Sequence, residues 1–348
     1  MPDNKHRFPY EWNLADGFPA KGIEHHKSKV FSCFACGGGS SMGYKLAGYD
    51  CLGGVELDPN IAAAYLANLH PQLFFTQDIR EFNNRTDLPE VLYNLDVLDG
   101  SPPCSTFSTA GEREKAWGKR KQFAEGQKLQ RLDDLVFVFC DTIKKLQPKV
   151  CLLENVSGLV KGNGKVYAKE IISRMTAAGY RVQLFCLNAA TMGVPQRRER
   201  VFFIGLRSDY AFPKLVLDFN ERPITFREAT EKYWENEGGA PLCPVCRAEW
   251  ERLKIGETSS KYFQLRKCSP DEVWPTVTTS DGGGGASAAH FIAPRKMNPQ
   301  EMCNVSTFPQ DYQHNKNLGF LCGMSVPPIM TAQISYQIWE QWLKKING

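Results

Sequence analysis

From residue 29 to about residue 206, short apolar segments alternate with amphipathic ones, and this alternation constrains the fold more than any other feature of the sequence. The pattern is typical of βα units arranged around a mostly parallel sheet. The predicted strands are residues 30–34, 51–56, 73–75, 95–98, 150–153, 181–187 and 201–206. We therefore predict an α/β fold whose chemistry lies at the carboxyl ends of the strands.

The segments between these strands are predicted to be helices. One begins near Ser40 and Ser41, whose hydroxyls can cap it, and another begins at Pro59, a favoured first helical residue. Residues 133–146 and 331–345 are apolar at helical spacing.

The alternation ends after residue 206. Residues 207–303 contain prolines, a Cys-Pro-Val-Cys segment and the glycine run 282–285. We predict a second, smaller, loop-rich domain there. Residues 1–206, completed by residues 304–348, form the α/β domain.

Composition and charge exclude several classes of protein. The 348 residues are 42% hydrophobic and 23% charged, which excludes a disordered, collagen-like or coiled-coil chain. No uninterrupted apolar run reaches the length of a membrane span, about 18 residues, and the N-terminal segment lacks the pattern of a secretory signal. The net charge of +4 is too small to indicate a polyanionic partner by itself. We expect a cytosolic protein whose 12 cysteines are reduced.

A glycine-rich turn, FACGGG at residues 34–39, joins the first predicted strand to a helix. Glycines at such a turn let the backbone approach a ligand, although many α/β proteins carry them for packing alone. Glu56 ends the next strand about 20 residues further on, where an acidic residue often binds ribose hydroxyls, and Asp78 follows the third strand. The alternative for Glu56 is a solvated carboxylate. The turn lacks GxGxxG spacing, so an adenosyl group without phosphates is at least as plausible as a dinucleotide.

Three polar segments adjoin later strands and are candidates for the chemistry; two of them end a strand or follow it, and the third leads into the strand 201–206. Residues 99–108, DGSPPCSTFS, present Cys104 on a proline-stiffened loop, as a nucleophile or as a structural thiol. Glu154 ends the next strand and is a candidate acid, or a capping carboxylate. The QRRER segment, residues 196–200, supplies arginines that could orient a substrate or form a strand-edge cluster of ion pairs.

In this order, the segments FACGGG, GVELDP, TQDIRE, DGSPPCSTFS, LLENVSGL, QRRERVFFIG and GMSVPP resemble the DNA (cytosine-5)-methyltransferase family over nearly the whole chain. The resemblance implies a Rossmann-like, S-adenosylmethionine-dependent methyltransferase fold with a loop-rich target-recognition domain at residues 207–303. It also implies transfer of a methyl group from S-adenosyl-L-methionine to C5 of cytosine in a specific duplex DNA sequence, which leaves S-adenosyl-L-homocysteine.

By the same resemblance, Cys104 is the nucleophile that attacks C6 of cytosine, and Glu154 binds the N3/N4 edge and protonates N3. Arg200 is expected to contact the base carbonyl, and Arg198 to help place the catalytic loop or a phosphate. Glu56 is expected on the ribose and Asp78 on the adenine amine. The full set of expected cofactor-binding residues is Phe34, Ala35, Gly37, Gly38, Glu56, Leu57, Asp78, Ile79, Ser101, Pro103, Met324 and Ser325.

Three residues depart from the usual family segments. Cys36 stands where glycine is common, Ser105 where glutamine is common, and Met324 where asparagine is common. One hypothesis is a roomier donor pocket that accepts an enlarged S-adenosylmethionine analogue. The alternative is neutral drift within a subfamily.

The Cys243–Cys246 pair has the spacing of half a zinc site, with Cys268, His290 and Cys303 as isolated possible completions. Half a site is weak evidence, and we expect no zinc.

Residues 111–131 are rich in Lys and Arg, which suit contact with DNA phosphates, and they contain Trp117, which could pack against a sugar or base. We favour this contact over a solvated surface loop. The resemblance implies double-stranded DNA as the partner. A cognate restriction endonuclease is a further possible partner, and we expect a monomer.

Two alternatives stay open, an RNA cytosine-5 methyltransferase and a catalytically inactive relative. The first carries a characteristic Cys-Phe-Thr, to which Tyr262-Phe263-Gln264 is the nearest string, and the second usually loses the nucleophile or the glutamate that are present here.

Overall fold

The computed structural model describes residues 6–103, 134–162, 164–262, 264–281, 283–314 and 318–348. Cys104, Ser105 and the basic segment 111–131 lie outside the described residues, as do Phe263 and Gly282. The expectations for these residues stay predictions.

The described residues form a central seven-stranded sheet. The first eight strands along the chain are β1 (Lys29–Cys33), β2 (Asp50–Glu56), β3 (Leu73–Thr76), β4 (Val97–Gly100), β5 (Val150–Val156), β6 (Tyr180–Asn188), β7 (Gln196–Arg197) and β8 (Glu199–Arg207). All but β7 belong to the sheet, in the order β3-β2-β1-β4-β5-β8-β6. Strands β1 to β5 pair in parallel, and β8 runs antiparallel to both of its neighbours.

The predicted strands are confirmed in place, but their bounds differ. Strand β5 continues to Val156 and β8 begins at Glu199, because the two pair along their full antiparallel register, from Val150 with Leu206 to Val156 with Arg200. The fourth strand runs from Val97 to Gly100, two residues later than predicted.

The helices along the α/β part are α1 (Gly39–Leu46), α2 (Pro59–Leu69), α3 (Ile79–Asn84), α4 (Leu135–Leu146) and α5 (Gly164–Ala177). Helix α2 begins at Pro59 as predicted, and the Asp58 side chain caps it by accepting from the Asn60 and Ile61 amides.

Alternating side chains of the strands build a core on each face of the sheet. Val30 and Leu152 pack into one cluster, while their neighbours Phe31 and Leu153 pack into the other. A parallel strand covered on both faces is apolar at successive positions. This explains why the sequence shows short apolar runs there.

Residues 207–303 contain α6 (Phe226–Thr230), α7 (Pro244–Arg252), β9 (Arg266–Lys267), β10 (Trp274–Pro275) and β11 (Ala288–Ala289). A small apolar cluster around Leu242, Trp250 and Leu265 forms the core of this region. Strand β10 pairs with β7, which joins the region to the α/β part. Helix α8 (Pro299–Ser306) crosses the predicted boundary after residue 303.

The chain ends in α9 (Leu318–Met324), α10 (Pro328–Ile338), a π-helical turn (Trp339–Leu343) and α11 (Lys344–Asn347). The stretch Leu318–Asn347 is long and apolar enough to span a membrane, but 83% of its most apolar window is buried inside the protein. Helix α10 packs closely on α1, since a Cβ on Gly43 would lie 2.3 Å from the carbonyl oxygen of Pro328. These helices therefore complete the protein core.

Candidate active site

The glycine-rich turn after β1 has an unusual backbone. Phe34 and Cys36 have φ of 56° and 47°, and Gly38 has φ of 87°. Non-glycine residues adopt this left-handed conformation only where the surrounding structure enforces it, and such residues concentrate at ligand sites. A Cβ on Gly39 would lie 2.4 Å from the carbonyl oxygen of Val326. The turn is therefore packed against the segment after α9, with no room for a larger residue.

The second side of the turn is held by Glu56 at the end of β2. Its carboxylate accepts hydrogen bonds from three backbone amides, those of Cys36 at 2.9 Å, Leu57 at 2.8 Å and Asp58 at 3.0 Å. Burial raises the pKa of Glu56, and the three amide donors oppose this rise. Glu56 thus fixes the turn to β2, and its carboxylate, which has about four lone-pair positions, can accept a further hydrogen bond.

Asp78 follows β3 and lies on the same edge of the sheet. Its side chain caps α3 by accepting from the Arg80 amide at 2.8 Å, and it pairs with the Arg80 guanidinium at 3.2 Å. Ile79 begins α3 and is buried. The capping role of Asp78 is compatible with adenine binding, since a carboxylate has about four lone-pair positions.

Two residues on either side of α9 in the sequence, Tyr312 before it and Ser325 after it, close the turn from the opposite side. The buried Ser325 hydroxyl donates to the sulfur of Cys36 at 3.5 Å, and the Tyr312 hydroxyl donates to the Gly37 carbonyl at 2.7 Å. Met324 is 42% exposed. Cys36 and Met324, two of the three residues that depart from the family pattern, are far apart in the sequence. Both nevertheless adjoin Ser325, Cys36 through this hydrogen bond and Met324 as the preceding residue.

Glu154 and Arg200 form an ion pair at the same edge of the sheet. The Arg200 Nε lies 2.9 Å from Glu154 Oε1, and the side chains are 14% and 10% exposed. They meet because β8 is antiparallel to β5, which brings the start of β8 beside the end of β5. Burial lowers the pKa of the Arg200 guanidinium, and the Glu154 carboxylate opposes this lowering. The pair places a carboxylate and a guanidinium side by side at this edge of the sheet.

Pro102, two residues before Cys104 in the sequence, lies beside this pair. The side-chain amide nitrogen of Asn155 donates to the Pro102 carbonyl at 3.2 Å. The residue directly after Glu154 therefore holds the backbone at Pro102. Ser101 has a buried hydroxyl oxygen with no hydrogen-bond partner among the described residues. Pro103 is the last described residue before Cys104.

Arg198 is buried and stabilises the backbone around the site instead of lying on its surface. Its side chain is 2% exposed and donates to the carbonyls of Val277 at 3.0 Å, Gly323 at 3.0 Å and Ser325 at 2.9 Å. Burial lowers the pKa of its guanidinium to about 9, and the nearby charge of Arg200 adds to this. Arg198 thereby joins the QRRER segment to Val277 in the region 207–303 and to the C-terminal end of α9.

Sequence reasoning assigned no role to Asp99, which is 2% exposed on β4. Burial raises the pKa of Asp99 to about 7, and the negative charge of Glu154 adds to the rise, while the Ser40 and Ser32 hydroxyls oppose it. It lies under the glycine-rich turn, because Ser32 is its register partner on β1. A carboxylate directly after an apolar strand was the signal that could have identified it.

Two groups of predicted residues therefore occupy one edge of the sheet. The acidic residues Glu56 and Asp78 come from β2 and β3 next to the turn, and the pair Glu154 and Arg200 comes from β5 and β8. Polar side chains gathered at the carboxyl edge of a mostly parallel sheet are the arrangement by which α/β proteins bind their ligands.

Comparison with known proteins assigns the particular reaction. The family of C-5 cytosine-specific DNA methylases matches residues 28–340, and the chain belongs to this family. It is 33% identical over 351 residues to the type II methyltransferase M.NgoPII of Neisseria gonorrhoeae, covering 90% of this chain and 96% of that protein. It is 31% identical to M.AplI of Arthrospira platensis, covering 89% and 85% of the two chains. The protein is a DNA (cytosine-5)-methyltransferase that uses S-adenosylmethionine.

Solved structures support the same fold. A proposed DNA modification methyltransferase encoded within an E. coli prophage superposes with a TM-score of 0.71 at 18% identity, covering 92% of this chain and 100% of that one. A DNMT2 variant of Spodoptera frugiperda gives a TM-score of 0.65 at 16% identity, with 90% and 100% coverage. The Rossmann-like methyltransferase fold predicted from the sequence is confirmed.

The possible zinc ligands are not brought together. Among the described residues, no group of three or more His, Cys, Asp or Glu side chains is placed to hold a metal ion. Cys268 and Cys303 are instead buried in the main core, and His290 lies against Glu301 at 3.3 Å.

Proposed function

We propose that methyl transfer proceeds through a covalent bond between the Cys104 sulfur and C6 of a cytosine flipped out of the duplex. C5 of cytosine is a poor nucleophile, and thiolate addition at C6 gives an enamine whose C5 can attack a methyl group. Loss of the C5 proton then breaks the bond between C6 and Cys104 and restores the base. Because the target atom is inaccessible within a duplex, the base is flipped at a cost of a few kcal/mol.

Glu154 and Arg200 hold the flipped base in this proposal. Glu154 binds the N3/N4 edge and delivers a proton to N3 as the thiolate adds to C6, which stabilises the adduct. Arg200 donates to the base carbonyl and keeps Glu154 in place. The observation that carries the proposal is the 2.9 Å contact between Arg200 and Glu154 beside the Asn155–Pro102 hydrogen bond, since Pro102 lies two residues before Cys104 in the sequence.

Arg198 is a positioning residue in this scheme. Its guanidinium donates to three backbone carbonyls, two of which belong to Gly323 near the end of α9 and to Ser325 directly after that helix. It therefore acts on cofactor binding and on the orientation of the small region through the backbone rather than by touching substrate.

The residues around the glycine-rich turn fit S-adenosylmethionine, which supplies an electrophilic methyl group on sulfur. The tight approach of Gly37 and Gly39 to their neighbours keeps the turn small, and the Ser101 hydroxyl, which has no hydrogen-bond partner among the described residues, can bind a polar group. Glu56 receives the ribose hydroxyls and Asp78 the adenine amine. The set is completed by Phe34, Ala35, Gly37, Gly38, Leu57, Ile79, Ser101, Pro103, Met324 and Ser325.

We further propose that residues 207–303 form the target-recognition domain and that residues 111–131 contact DNA phosphates. The target is a specific duplex sequence, read by loops in the major groove. The protein acts as a monomer in the cytoplasm of a bacterial cell, encoded by the bacterium or by a phage. The type II relatives support a cognate restriction endonuclease as its companion.

A second candidate is transfer of a larger group from an enlarged donor. The observation that favours it is Met324, whose flexible side chain is 42% exposed and which precedes Ser325, another of the expected cofactor-binding residues. Comparing transfer rates from S-adenosylmethionine and an extended analogue tests this candidate. A strong preference for the methyl donor that is unchanged in Met324→Asn would contradict it.

The main proposal is tested by incubating wild-type protein and Cys104→Ala with S-adenosylmethionine and mixed-sequence duplex DNA, then analysing the nucleosides by mass spectrometry. We expect 5-methylcytosine with the wild type alone. Covalent trapping on DNA that contains 5-fluorocytosine gives the matching readout for the adduct, because fluorine at C5 blocks the elimination step. Methylation by Cys104→Ala would refute the covalent route, and methylation of RNA in preference to DNA would refute the duplex target.

A further inference from the structure

The Cys-Pro-Val-Cys segment lies outside the site described above, and its two cysteines occupy the N-terminus of α7. Cys243 is the N-cap residue of this nine-residue helix, and Cys246 lies within its first turn. Cys243 is exposed, whereas Cys246 is buried against the cluster of Leu242, Trp250 and Leu265. An exposed thiol at a helix N-terminus, followed three residues later by a shielded one, is the arrangement of dithiols that form disulfides reversibly.

The surroundings favour a thiolate at Cys243. Backbone amides of Cys246 and Val245 and the side chain of Cys246 lower the pKa of the Cys243 thiol, and the buried Lys296 contributes in the same direction. Lys296 is 1% exposed and stays beside this segment because its amide donates to the Ala240 carbonyl at 2.9 Å. Burial raises the pKa of Cys246, so this thiol stays protonated in the reduced protein.

We propose that Cys243 and Cys246 form a reversible redox site, at which a small-molecule disulfide such as oxidised glutathione converts the dithiol into an intramolecular disulfide. The Cys243 thiolate attacks one sulfur of the oxidant, forming a mixed disulfide and releasing the first glutathione thiolate, which takes up a proton. Cys246 loses its proton and attacks the Cys243 sulfur, releasing the second glutathione. Two protein thiols are oxidised and one small disulfide is reduced to two thiols.

The position of the pair gives this modification a structural consequence. The Cys243 amide donates to the Gly284 carbonyl at 2.9 Å, and a Cβ on Gly284 would lie 2.6 Å from the Pro241 carbonyl oxygen. Gly284 thus packs directly against the segment that carries Cys243 and Cys246. Oxidation would join the sulfurs of Cys243 and Cys246 within the first turn of α7, next to Gly284.

Peptide mapping by mass spectrometry after treatment of the reduced, full-length protein with oxidised glutathione tests the proposal. We expect a mass loss of two hydrogen atoms that maps to Cys243 and Cys246 and is reversed by a thiol reductant. Cys246→Ser is expected to stop at a mixed disulfide on Cys243, whereas Cys243→Ser is expected to leave Cys246 unmodified. Thermal unfolding of both variants verifies that they are folded.

Cys186 is the internal control, because it is also exposed but lies on strand β6 rather than at a helix N-terminus. We expect Cys243 to react several-fold faster than Cys186. Equal reaction of the two, or a stable adduct on Cys243 in the wild type without ring closure, would overturn the proposal. One zinc ion per chain that is lost in both serine variants would also overturn it, in favour of a metal site.

Discussion

Asp99 offers a quantitative test of the physical reasoning, because it is a carboxyl group buried in the centre of the sheet below the glycine-rich turn. Its pKa rises from 3.8 to about 7, chiefly because burial disfavours the charged form. At about 1.36 kcal/mol for each pH unit, this rise corresponds to about 4 kcal/mol between the protonation states.

The sign follows from proton linkage. The unfolded chain releases the proton near pH 3.8, while the folded protein keeps it to about pH 7. Asp99 therefore contributes most to stability below the lower value, and the contribution is lost as the pH rises towards 7. Asparagine has a similar shape and no charge, so Asp99→Asn removes this pH dependence. Between pH 5 and pH 8, the variant should gain about 3 kcal/mol in free energy of unfolding relative to wild type.

Urea denaturation followed by tryptophan fluorescence at pH 5, 6, 7 and 8 measures the difference for the two proteins. All other titrating groups are common to both, so they largely cancel. Asp141→Asn, at an exposed position on α4, is the matched control and should show a far smaller change, because solvent screens the charge. A difference between wild type and Asp99→Asn that is constant across this pH range would refute the assignment of a buried, titrating carboxyl.

Three further predictions concern the site. Glu154→Gln removes the acid and leaves a buried guanidinium without its counter-charge, so the rate of 5-methylcytosine formation should fall by about 10²–10⁴, and an unchanged rate would contradict the role. Gly39→Ala places a Cβ 2.4 Å from a carbonyl oxygen and should weaken S-adenosylmethionine binding by about 1–3 kcal/mol in calorimetry, whereas Gly285→Ala, with open space, should not. Arg198→Lys replaces a planar guanidinium, which reaches the three carbonyls through two nitrogens, with a single ammonium nitrogen that cannot reproduce this geometry, and it should lower the thermal midpoint and the cofactor affinity together. If neither quantity falls, the carbonyl contacts are dispensable.

Much of the α/β part could be predicted from local patterns. Apolar runs identified all seven strands of the central sheet, and Pro59 marked the start of α2, because both signals are contained in a few neighbouring residues. Glu56 and Glu154 could be placed at one edge of the sheet for the same reason, since parallel strands present their carboxyl ends together.

The interactions of these residues could not be predicted in the same way. The three backbone amides that Glu56 binds are a property of the folded turn, and the antiparallel direction of β8 is what brings Arg200 beside Glu154. Arg198 illustrates the limit most clearly. Its place in QRRER indicated a functional arginine, but its three acceptors lie up to 127 positions away in the sequence.

The sequence by itself therefore determined the order of the βα units, the family and the reaction, because side-chain periodicity and short motifs express local constraints. The tertiary structure alone decided which side chains pair, which are buried and how their pKa values shift. It buried Asp99 and brought the Ser325 hydroxyl within hydrogen-bonding distance of the Cys36 sulfur. It also left Cys243 exposed and buried Cys246 in the cluster around Trp250. The physical reason is that burial and electrostatics depend on segments that meet only when the chain is folded.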